Sequence, residues 1–419
     1  MIEQLKAPGK YMQGTGIMKD LAKHVVTYGR KALYLLADRD VDLIKERIDR
    51  SYQCYQSYQS DQGYQSYHRN QSYQRYLGEN ESSLINNGNK DEIVHDTYCY
   101  EMFKGECDNE EISRIVDIVK KQGIEVIVGI GSGKLHDTTK AVGFYANIPV
   151  AIVPTIVASD APCSSMSVIN TKEGCFDHYL YLKHNPDLVF VDIDFIIQAP
   201  ARLLVAGMGD ALSTYFEARA CQQSNCLLPN GSKSSDVAYY LSKLCLESLY
   251  QYGVQAKEDV INHISSIAVE KIVEANTLLS GVGFESGGLA AAHAINDGMS
   301  RIESCNHRLH GEKVAFATLV QLVLEREYEK CSTSDRNKNV DSKSHSQKEI
   351  EEVLEFCVQV GLPVTLEEMG LTSGDRDTLQ RIAEYSLLDN EPMHHMGFIV
   401  TEDMIIQAML EVDCIGKGK

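Results

Sequence analysis

The sequence lacks an excess of positive charge and has no long apolar run. Its 419 residues carry 40 lysines and arginines against 59 aspartates and glutamates, which gives a formal net charge of −19. Nucleic-acid binding depends on clustered basic residues that neutralise phosphates, so this balance argues against a nucleic-acid partner. No apolar run reaches the roughly 18–20 residues of a membrane span. We therefore expect neither a nucleic acid nor a membrane as a partner.

Cysteine pairs and a targeting segment are also missing. The 12 cysteines form no Cys-x-x-Cys motif, which is typical of reduced thiols in a cytosolic protein. The first residues, MIEQLKAPGKYMQG, have neither the apolar core of a signal peptide nor the Arg- and Ser-rich character of a transit peptide. We expect a cytoplasmic protein whose length allows two domains.

The first half of the chain alternates between short apolar runs and amphipathic stretches. This order predicts a parallel α/β sheet up to about residue 198. The second half is dominated by long helical patterns and predicts an all-α domain. The predicted strands are residues 31–38, 123–130, 147–154 and 186–195, and the predicted helices are residues 41–50, 110–122, 135–144, 202–221, 236–252, 270–281, 287–299 and 311–329.

Two polar segments interrupt these patterns. Residues 51–90 are rich in Tyr, Gln, Ser and Asn and show no apolar periodicity, so we predict a largely disordered, low-complexity insertion. Weak self-association through its tyrosines is a minor alternative. The insertion follows a helix, so we expect it at the sheet edge opposite the ligand-binding edge. The polar composition of residues 332–348 predicts a surface insertion between two helices.

A glycine turn, GIGSGK at residues 129–134, joins a predicted strand to a predicted helix. Exposed backbone N–H groups and the helix dipole at such a turn favour a diphosphate. The spacing matches neither a Walker loop nor GxGxxG, and a tight turn without a ligand is the alternative. Asp38, at the end of another predicted strand, can bind a ribose hydroxyl or simply close the strand.

One acid and two histidines lie in apolar or glycine-rich helical runs: Asp210, His293 and His310. A buried acid is costly unless it is paired, hydrogen-bonded or bound to a metal. A histidine in such a run is most often a core residue, but it can also be a general base or a metal ligand. Together the three residues suit a metal site with one open position. The spacing alone does not decide between buried core residues and a metal site.

Five long motifs then occur in one order: GSGKLHDTTK, PTIVASDAPCSSMSVI, APARLLVAGMGDALSTYFEARAC, EANTLLSGVGFESGGLAAAHA and HRLHGEKVAFATLVQLVLE. They resemble glycerol dehydrogenases of the iron-/zinc-containing alcohol dehydrogenase superfamily, which share the dehydroquinate synthase-like fold. The similarity runs from residue 8 to the C-terminal helix and leaves out only the two polar segments. It implies a Rossmann-like α/β dinucleotide-binding domain at residues 1–198 and an all-α metal- and substrate-binding domain at residues 199–419.

The resemblance also implies a role for individual residues. Asp210, His293 and His310 match three zinc ligands, with iron as the alternative metal, and the two histidines are expected to be catalytic. Asp160 matches a catalytic acid of the substrate pocket, and Asp38 the acid that faces the adenosine ribose of NAD. The other positions implied to contact NAD are Gly131, Ser132, Gly133, Lys134, Thr155, Ser159, Ser164 and Met166.

The implied reaction is hydride transfer from glycerol, or a related vicinal diol, to NAD, which gives dihydroxyacetone. An acid at Asp38 disfavours the 2′-phosphate of NADP. The resemblance further implies a homo-oligomer, an octamer in the family. Alternatives are another polyol or alcohol dehydrogenase, a dehydrogenase for a phosphorylated substrate, a 3-dehydroquinate synthase-like lyase, and a non-catalytic interaction protein on the same scaffold.

The sequence departs from the family pattern at several positions near the implied site. These departures bear on turnover and substrate choice more than on the fold. They are Ser132 for a glycine, Leu135 for a threonine, Ala158 for a serine, Asn170 for a tyrosine, Asn296 and Asp297 in the HAxHNG motif, and His395 and Gly397 in the usual His-Asn-Met-Pro.

Overall fold

A computed structural model describes residues 2–38, 40–77, 97–333 and 345–419 of the chain. Within these residues, six strands form one parallel sheet in the order β1-β8-β5-β4-β2-β3, and two others form an antiparallel hairpin. The strands are β1 (Tyr11–Gly14), β2 (Lys31–Leu36), β3 (Thr97–Met102), β4 (Val126–Gly131), β5 (Val150–Pro154), β6 (Met166–Asn170), β7 (Phe176–Tyr181) and β8 (Leu188–Asp192).

The helices cover both faces of the sheet and make up the whole second half of the described chain. None of the helices among the described residues combines the length and apolarity needed to cross a membrane. The helices are α1 (Leu21–Val25), α2 (Val41–Leu77), α3 (Asn109–Gln122), α4 (Gly133–Ala146), α5 (Ile193–Ile196), α6 (Ala201–Ser224), α7 (Asp236–Ile261), α8 (Ile267–Glu274), α9 (Ser280–Gly287), α10 (Ala291–Ser300), α11 (His310–Thr333), α12 (His345–Val360), α13 (Arg376–Ser386) and α14 (Glu402–Lys417).

The predicted fold class, a parallel α/β sheet followed by an all-α part, is confirmed. The four predicted strands are β2, β4, β5 and β8, and each is almost wholly buried because helices cover both of its faces. The missed strands β1 and β3 are the two edges of the sheet. Their sequences, YMQG and TYCYEM, are only partly buried and therefore lack a continuous apolar run.

Helix α6 lies at the centre of the helical half. It packs against α7, α9 and α11, while α10 packs against α11 and α13. The predicted helix at residues 270–281 is interrupted by one turn of π-helix, Ala275–Leu279, between α8 and α9. Single π turns inside helices are frequent at functional sites.

The predicted disordered insertion is wrong for residues 51–77, because these residues continue α2. Ile44, Ile48 and Tyr52 recur every four residues, so one face of the helix stays apolar beyond residue 50. Tyr52 is buried and its ring stacks on that of Tyr98, with 4.0 Å between centroids. Residues 78–90 and 334–344 of the two predicted insertions lie outside the described residues, whereas residues 332–333 and 345–348 belong to α11 and α12.

Candidate active site

Three residues singled out in the sequence, Asp210, His293 and His310, meet at one point beside α6. The Oδ1 atom of Asp210 lies 3.5 Å from Nε2 of His293 and 3.2 Å from Nε2 of His310. One potential ligand atom from each residue lies within 4.8 Å of the other two. Asp210 is buried, whereas the side chain of His310 is 44% exposed and stands at the opening of the cluster. The helices thus bring together residues that are far apart in sequence.

A close contact between α6 and α11 places His310 next to Asp210. A Cβ atom on Gly311 would lie 1.8 Å from the carbonyl oxygen of Ala206, and one on Gly209 would lie 2.3 Å from the carbonyl oxygen of Gly311. Only glycine fits backbone contacts of this kind. Helix α11 therefore starts directly against α6, and its first residue faces the carboxylate.

His293 is held in position by Glu217, a residue that the sequence analysis missed. Nδ1 of His293 donates a hydrogen bond to Oε2 of Glu217 at 2.7 Å. The other oxygen of Glu217 accepts the backbone N–H groups of Ala290, at 2.8 Å, and His293, at 2.9 Å. A carboxylate that binds one imidazole nitrogen leaves the other nitrogen oriented as a metal ligand. The available signal was spacing, because Asp210 and Glu217 are seven residues apart on one helix face.

The charges of the cluster shift the pKa values of its members in a direction that favours a neighbouring cation. Burial by itself lowers the pKa of His293, but the carboxylates of Glu217 and Asp210 raise this pKa well above its usual value. Burial likewise raises the pKa of Asp210, but the facing imidazoles of His310 and His293 bring it far below its usual value. The buried carboxylates are therefore stable as anions only with a cation between or beside them.

The same atoms fit a divalent metal ion. The Oδ1 atom of Asp210 is buried and has no hydrogen-bond partner among the described residues, although both Nε2 atoms are near it. Ligand atoms bound at about 2.1 Å to a tetrahedral ion lie roughly 3.4 Å apart, which is close to the two measured separations. A set of two nitrogens and one carboxylate oxygen suits zinc or iron.

Asp160 lies at the edge of this cluster. Its backbone N–H donates to Oδ2 of Asp210 at 3.3 Å, and its own Oδ2 accepts the hydroxyl of Ser280 at 2.7 Å. Burial, followed by the nearby charge of Asp210, raises the pKa of Asp160 well above its usual value. The predicted substrate acid and the predicted ligands are therefore neighbours.

The loop that carries Asp160 is fixed on one side by Asn276, in the π turn between α8 and α9. Nδ2 of this buried residue donates to the carbonyl oxygen of Val157 at 3.1 Å and to that of Leu204 at 3.0 Å. Leu204 lies in α6, so Asn276 ties the loop to the helix that carries Asp210. No local sequence pattern indicated this role.

The other side of the loop is fixed by Lys140, a buried residue of α4 that the sequence analysis also missed. Its Nζ donates to the carbonyl oxygen of Ala161 at 2.9 Å, to that of Met166, and to the hydroxyl of Ser164 at 3.3 Å. Asp137 forms an ion pair with it at 2.9 Å. The only sequence signal was a lysine among small and apolar residues in TTKAVGF.

A pocket opens at the carboxyl ends of β2, β3 and β4, which is where α/β sheets bind ligands. It brings together Asp38, which is expected at the ribose, and Ser132 and Lys134, which are expected at the diphosphate. Ser132 precedes α4 and makes no side-chain capping bond to it. The pocket is lined by Ala37, Asp38, Phe103, Lys104, Gly105, Ser132, Lys134 and Leu135.

The remaining predicted cofactor residues surround the same sheet edge. Nothing lies within 4 Å of the position that a Cβ of Gly133 would take, so the start of α4 is open. The N–H of Thr155 donates to the carbonyl oxygen of Gly131 at 2.9 Å and links the ends of β5 and β4. Thr155, Ser159 and Met166 are partly exposed. Two of the residues predicted to contact NAD already have protein partners. Ser164 is buried and bonds to Lys140, and Lys134 forms an ion pair with Glu106.

A parallel-sheet half with a pocket at the carboxyl ends of its strands and a helical half with a cluster of three potential metal ligands are the parts expected of a metal-dependent nicotinamide oxidoreductase. Comparisons with known proteins narrow this class. The sequence profile of iron-containing alcohol dehydrogenase matches residues 82–193. The glycerol dehydrogenase of Citrobacter freundii is 45% identical over 324 residues, which cover 77% of this chain and 84% of the relative.

Two further relatives extend the likeness to nearly the full length. The glycerol dehydrogenase of Thermotoga maritima is 40% identical over 417 residues, which cover 100% of this chain and 98% of the relative. The crystal structure of glycerol dehydrogenase from Schizosaccharomyces pombe matches with a TM-score of 0.80 and 31% identity, covering 100% of this chain and 92% of that chain. The chain belongs to the iron-containing alcohol dehydrogenase family, in the glycerol dehydrogenase branch.

Proposed function

We propose that this chain oxidises glycerol, or a closely related vicinal diol, by hydride transfer to NAD, which gives dihydroxyacetone. The observation that carries the proposal is the meeting of Asp210, His293 and His310 in a chain that is 40–45% identical to glycerol dehydrogenases over 77–100% of its length. A buried acid and two imidazoles with an orphaned oxygen between them are a donor set for a divalent cation.

We assign Asp210, His293 and His310 as the residues that hold the metal, with zinc preferred and iron as the alternative. When bound, the ion would supply Lewis acidity for ionising an alcohol hydroxyl near neutral pH, and NAD would supply the acceptor for the hydride. Glu217 fixes the ring of His293, so that Nε2 points towards Asp210. The protein thereby supplies orientation and a negatively charged, largely buried setting for the ion.

We assign Asp160 as the acid that contacts the substrate. The hydroxyl of Ser280 holds its carboxyl group, and its backbone N–H bonds to Asp210. A carboxyl group at this position can accept a hydrogen bond from the second hydroxyl of a vicinal diol. Its raised pKa lets it hold or release a proton closer to neutral pH than an ordinary aspartate.

For the cofactor, we assign Asp38 to the adenosine ribose and Gly131, Ser132, Gly133 and Lys134 to the diphosphate. The shared pocket of Asp38, Ser132 and Lys134 supports this assignment. A carboxylate at the ribose repels a 2′-phosphate, so NAD is preferred over NADP. Around the nicotinamide and its ribose we place Thr155, Ser159, Ser164 and Met166.

The proposal also covers the division into domains, the cellular location and the oligomeric state. We propose a division between residues 198 and 199 into a dinucleotide-binding and a metal- and substrate-binding domain. We also propose a cytoplasmic homo-oligomer, an octamer as the family resemblance implies. Light scattering of the purified protein measures the oligomeric mass, and a monomer would refute the oligomer.

The central experiment measures NAD reduction by a panel of polyols with metal-loaded protein. Glycerol or 1,2-propanediol should support activity that stops on chelation and returns with zinc. Replacing His310 with alanine should abolish turnover and weaken metal binding, whereas His307→Ala, three residues earlier and exposed, should preserve both. A folded, metal-loaded protein that forms no NADH with any polyol would refute the proposed function.

A further inference from the structure

A second cluster of metal-binding side chains lies at the far end of α6. It consists of Cys221 in the last turns of α6, Cys226 just after the helix, and His395 at the end of a 3-10 turn, Pro392–His395. One potential ligand atom from each residue lies within 4.8 Å of the other two. The cluster shares no residue with the active site, which sits eleven residues earlier along α6 at Asp210.

The backbone between α9 and α10 orients two of these side chains. The Nδ1–H of His395 donates to the carbonyl oxygen of Leu289 at 2.7 Å, and the thiol of Cys221 donates to the same oxygen at 3.2 Å. With its hydrogen on Nδ1, the imidazole keeps a lone pair on Nε2. A histidine that donates one nitrogen to a carbonyl and offers the other is the usual form of a metal-bound histidine.

The cluster is tightly packed on one side and open on the other. Gly288 has a φ angle of +100°, and a Cβ there would lie 2.6 Å from Sγ of Cys221. Cys221 is 1% exposed, whereas Cys226 and His395 are partly exposed, which gives an ion a route of entry. His395 occupies a position where the resembling family usually has asparagine, so the imidazole is a feature of this chain.

Cys226 lies beside Cys221. Its thiol donates a hydrogen bond to the backbone carbonyl oxygen of Cys221 at 3.7 Å. The thiolate is the form of cysteine that binds metals. Metal binding by this pair therefore requires both thiols to lose their protons.

We propose that Cys221, Cys226 and His395 form a second metal site, for a thiophilic cation such as Zn²⁺ or Cu⁺. Two thiolates and a neutral imidazole balance a divalent charge and leave a fourth position for water. Binding releases the thiol proton of Cys221, and any proton on Cys226, to solvent. The ion joins the end of α6, the turn at Leu289 and the turn at His395, so its role is structural.

The test is a titration of reduced, metal-free protein with Cd²⁺ under exclusion of oxygen. Thiolate-to-cadmium charge-transfer absorption reports sulfur ligands only, and the proposed active-site ligands contain no sulfur. We expect absorption from two thiolates that saturates at one ion per chain. The same absorption should persist in the His310→Ala variant, so failure of the second site and failure of the proposed function are distinguishable.

Two variants identify the ligands. Cys226→Ser should halve the absorption per bound ion. His395→Asn, which restores the residue usual in the family, should weaken binding by at least the roughly 10- to 100-fold lost when a group that only hydrogen-bonds to a metal ligand is changed. Zinc should raise the melting temperature of the wild-type protein and raise it less in both variants.

Matched controls are Cys414→Ser, an exposed thiol of α14, and His394→Asn, the exposed neighbour of His395. Both should behave like the wild type. Absence of the thiolate absorption in reduced wild-type protein would overturn the proposal, as would its full survival in Cys226→Ser. A disulfide between Cys221 and Cys226 that persists in protein prepared with zinc would also overturn the proposal, because the two sulfur atoms would then form a redox pair instead of binding a metal.

Discussion

Glu217 and His293 form a buried hydrogen bond in which Nδ1 donates to Oε2 at 2.7 Å, and Glu217 also accepts two backbone N–H groups at the start of α10. One carboxylate thus sets the position of the helix start and the orientation of the imidazole. The metal affinity of the site should depend on a residue that does not touch the metal.

Replacing Glu217 with glutamine keeps the side-chain volume and removes the charge. We expect metal affinity to fall by about 10- to 100-fold and turnover to recover with excess zinc, because the imidazole becomes less basic and less fixed. Competition with a chromogenic chelator measures the affinity. The control is Glu349→Gln, which removes a carboxylate that pairs with Arg219 instead. Equal affinities of the wild type and Glu217→Gln would contradict the role of Glu217.

Lys140→Met should weaken both the fold and the cofactor site. The substitution removes the donor to Ala161, Ser164 and Met166 and leaves Asp137 buried without its partner. Breaking a buried ion pair costs about 3–5 kcal/mol of unfolding free energy. Urea unfolding measures this loss, and we expect KM for NAD to rise more than kcat falls.

The matched variant for Lys140→Met is the double substitution Asp137→Asn with Lys140→Met. It removes the uncompensated charge, so it should recover part of the stability while KM for NAD stays high. A double variant as unstable as the single one would show that the loss comes from packing and the loop contacts rather than from the unpaired carboxylate.

The carboxyl group of Glu391, which lies near Asp297, makes stability depend on pH. Burial and the charge of Asp297 raise the pKa of Glu391 to about 7, from an ordinary value of 4.5. The folded state therefore holds a proton that the unfolded state releases between these values. Stability from this group is fully present below about pH 4.5 and is lost as pH rises towards 7.

Asp297→Asn should lower the pKa of Glu391 and flatten this part of the stability profile, because it removes the neighbouring charge. Urea unfolding at a series of pH values across the window measures the slope. Asp389→Asn, an exposed acid close in sequence, should leave the slope unchanged. A slope that is the same in Asp297→Asn and the wild type would rule out coupling between the two carboxyl groups.

Tyr52→Ala tests whether the first polar segment begins inside the core. Tyr52 stacks on Tyr98 and its hydroxyl lies 3.3 Å from that of Tyr34. Removing a buried aromatic ring costs about 3–5 kcal/mol. Tyr58→Ala, which changes a half-exposed ring six residues later, should cost much less. Similar melting temperatures for Tyr52→Ala and the wild type would place the helix face outside the core.

The sequence predicted those parts of the molecule that depend on continuous local patterns. The central strands are uninterrupted apolar runs, and the motifs around Asp210, His293 and His310 carry both helix and function. Glu217 and Lys140 were not identified from the sequence because their roles arise from tertiary contacts. Glu217 contacts the start of α10, and Lys140 contacts residues 161–166. The tyrosine repeat from residue 52 was misjudged because a helix face can be built from tyrosine as well as from aliphatic residues.

Helix α6 carries Asp210, Glu217 and Cys221 at intervals of seven and four residues, close to whole numbers of helical turns. One residue inserted after Asp210 would rotate everything beyond it by about 100°. Glu217 would then lose its hydrogen bond with His293, and Cys221 would lose its contact with Leu289. The length of this helix is therefore a fixed dimension of the protein, and additions to the chain have to be accommodated elsewhere.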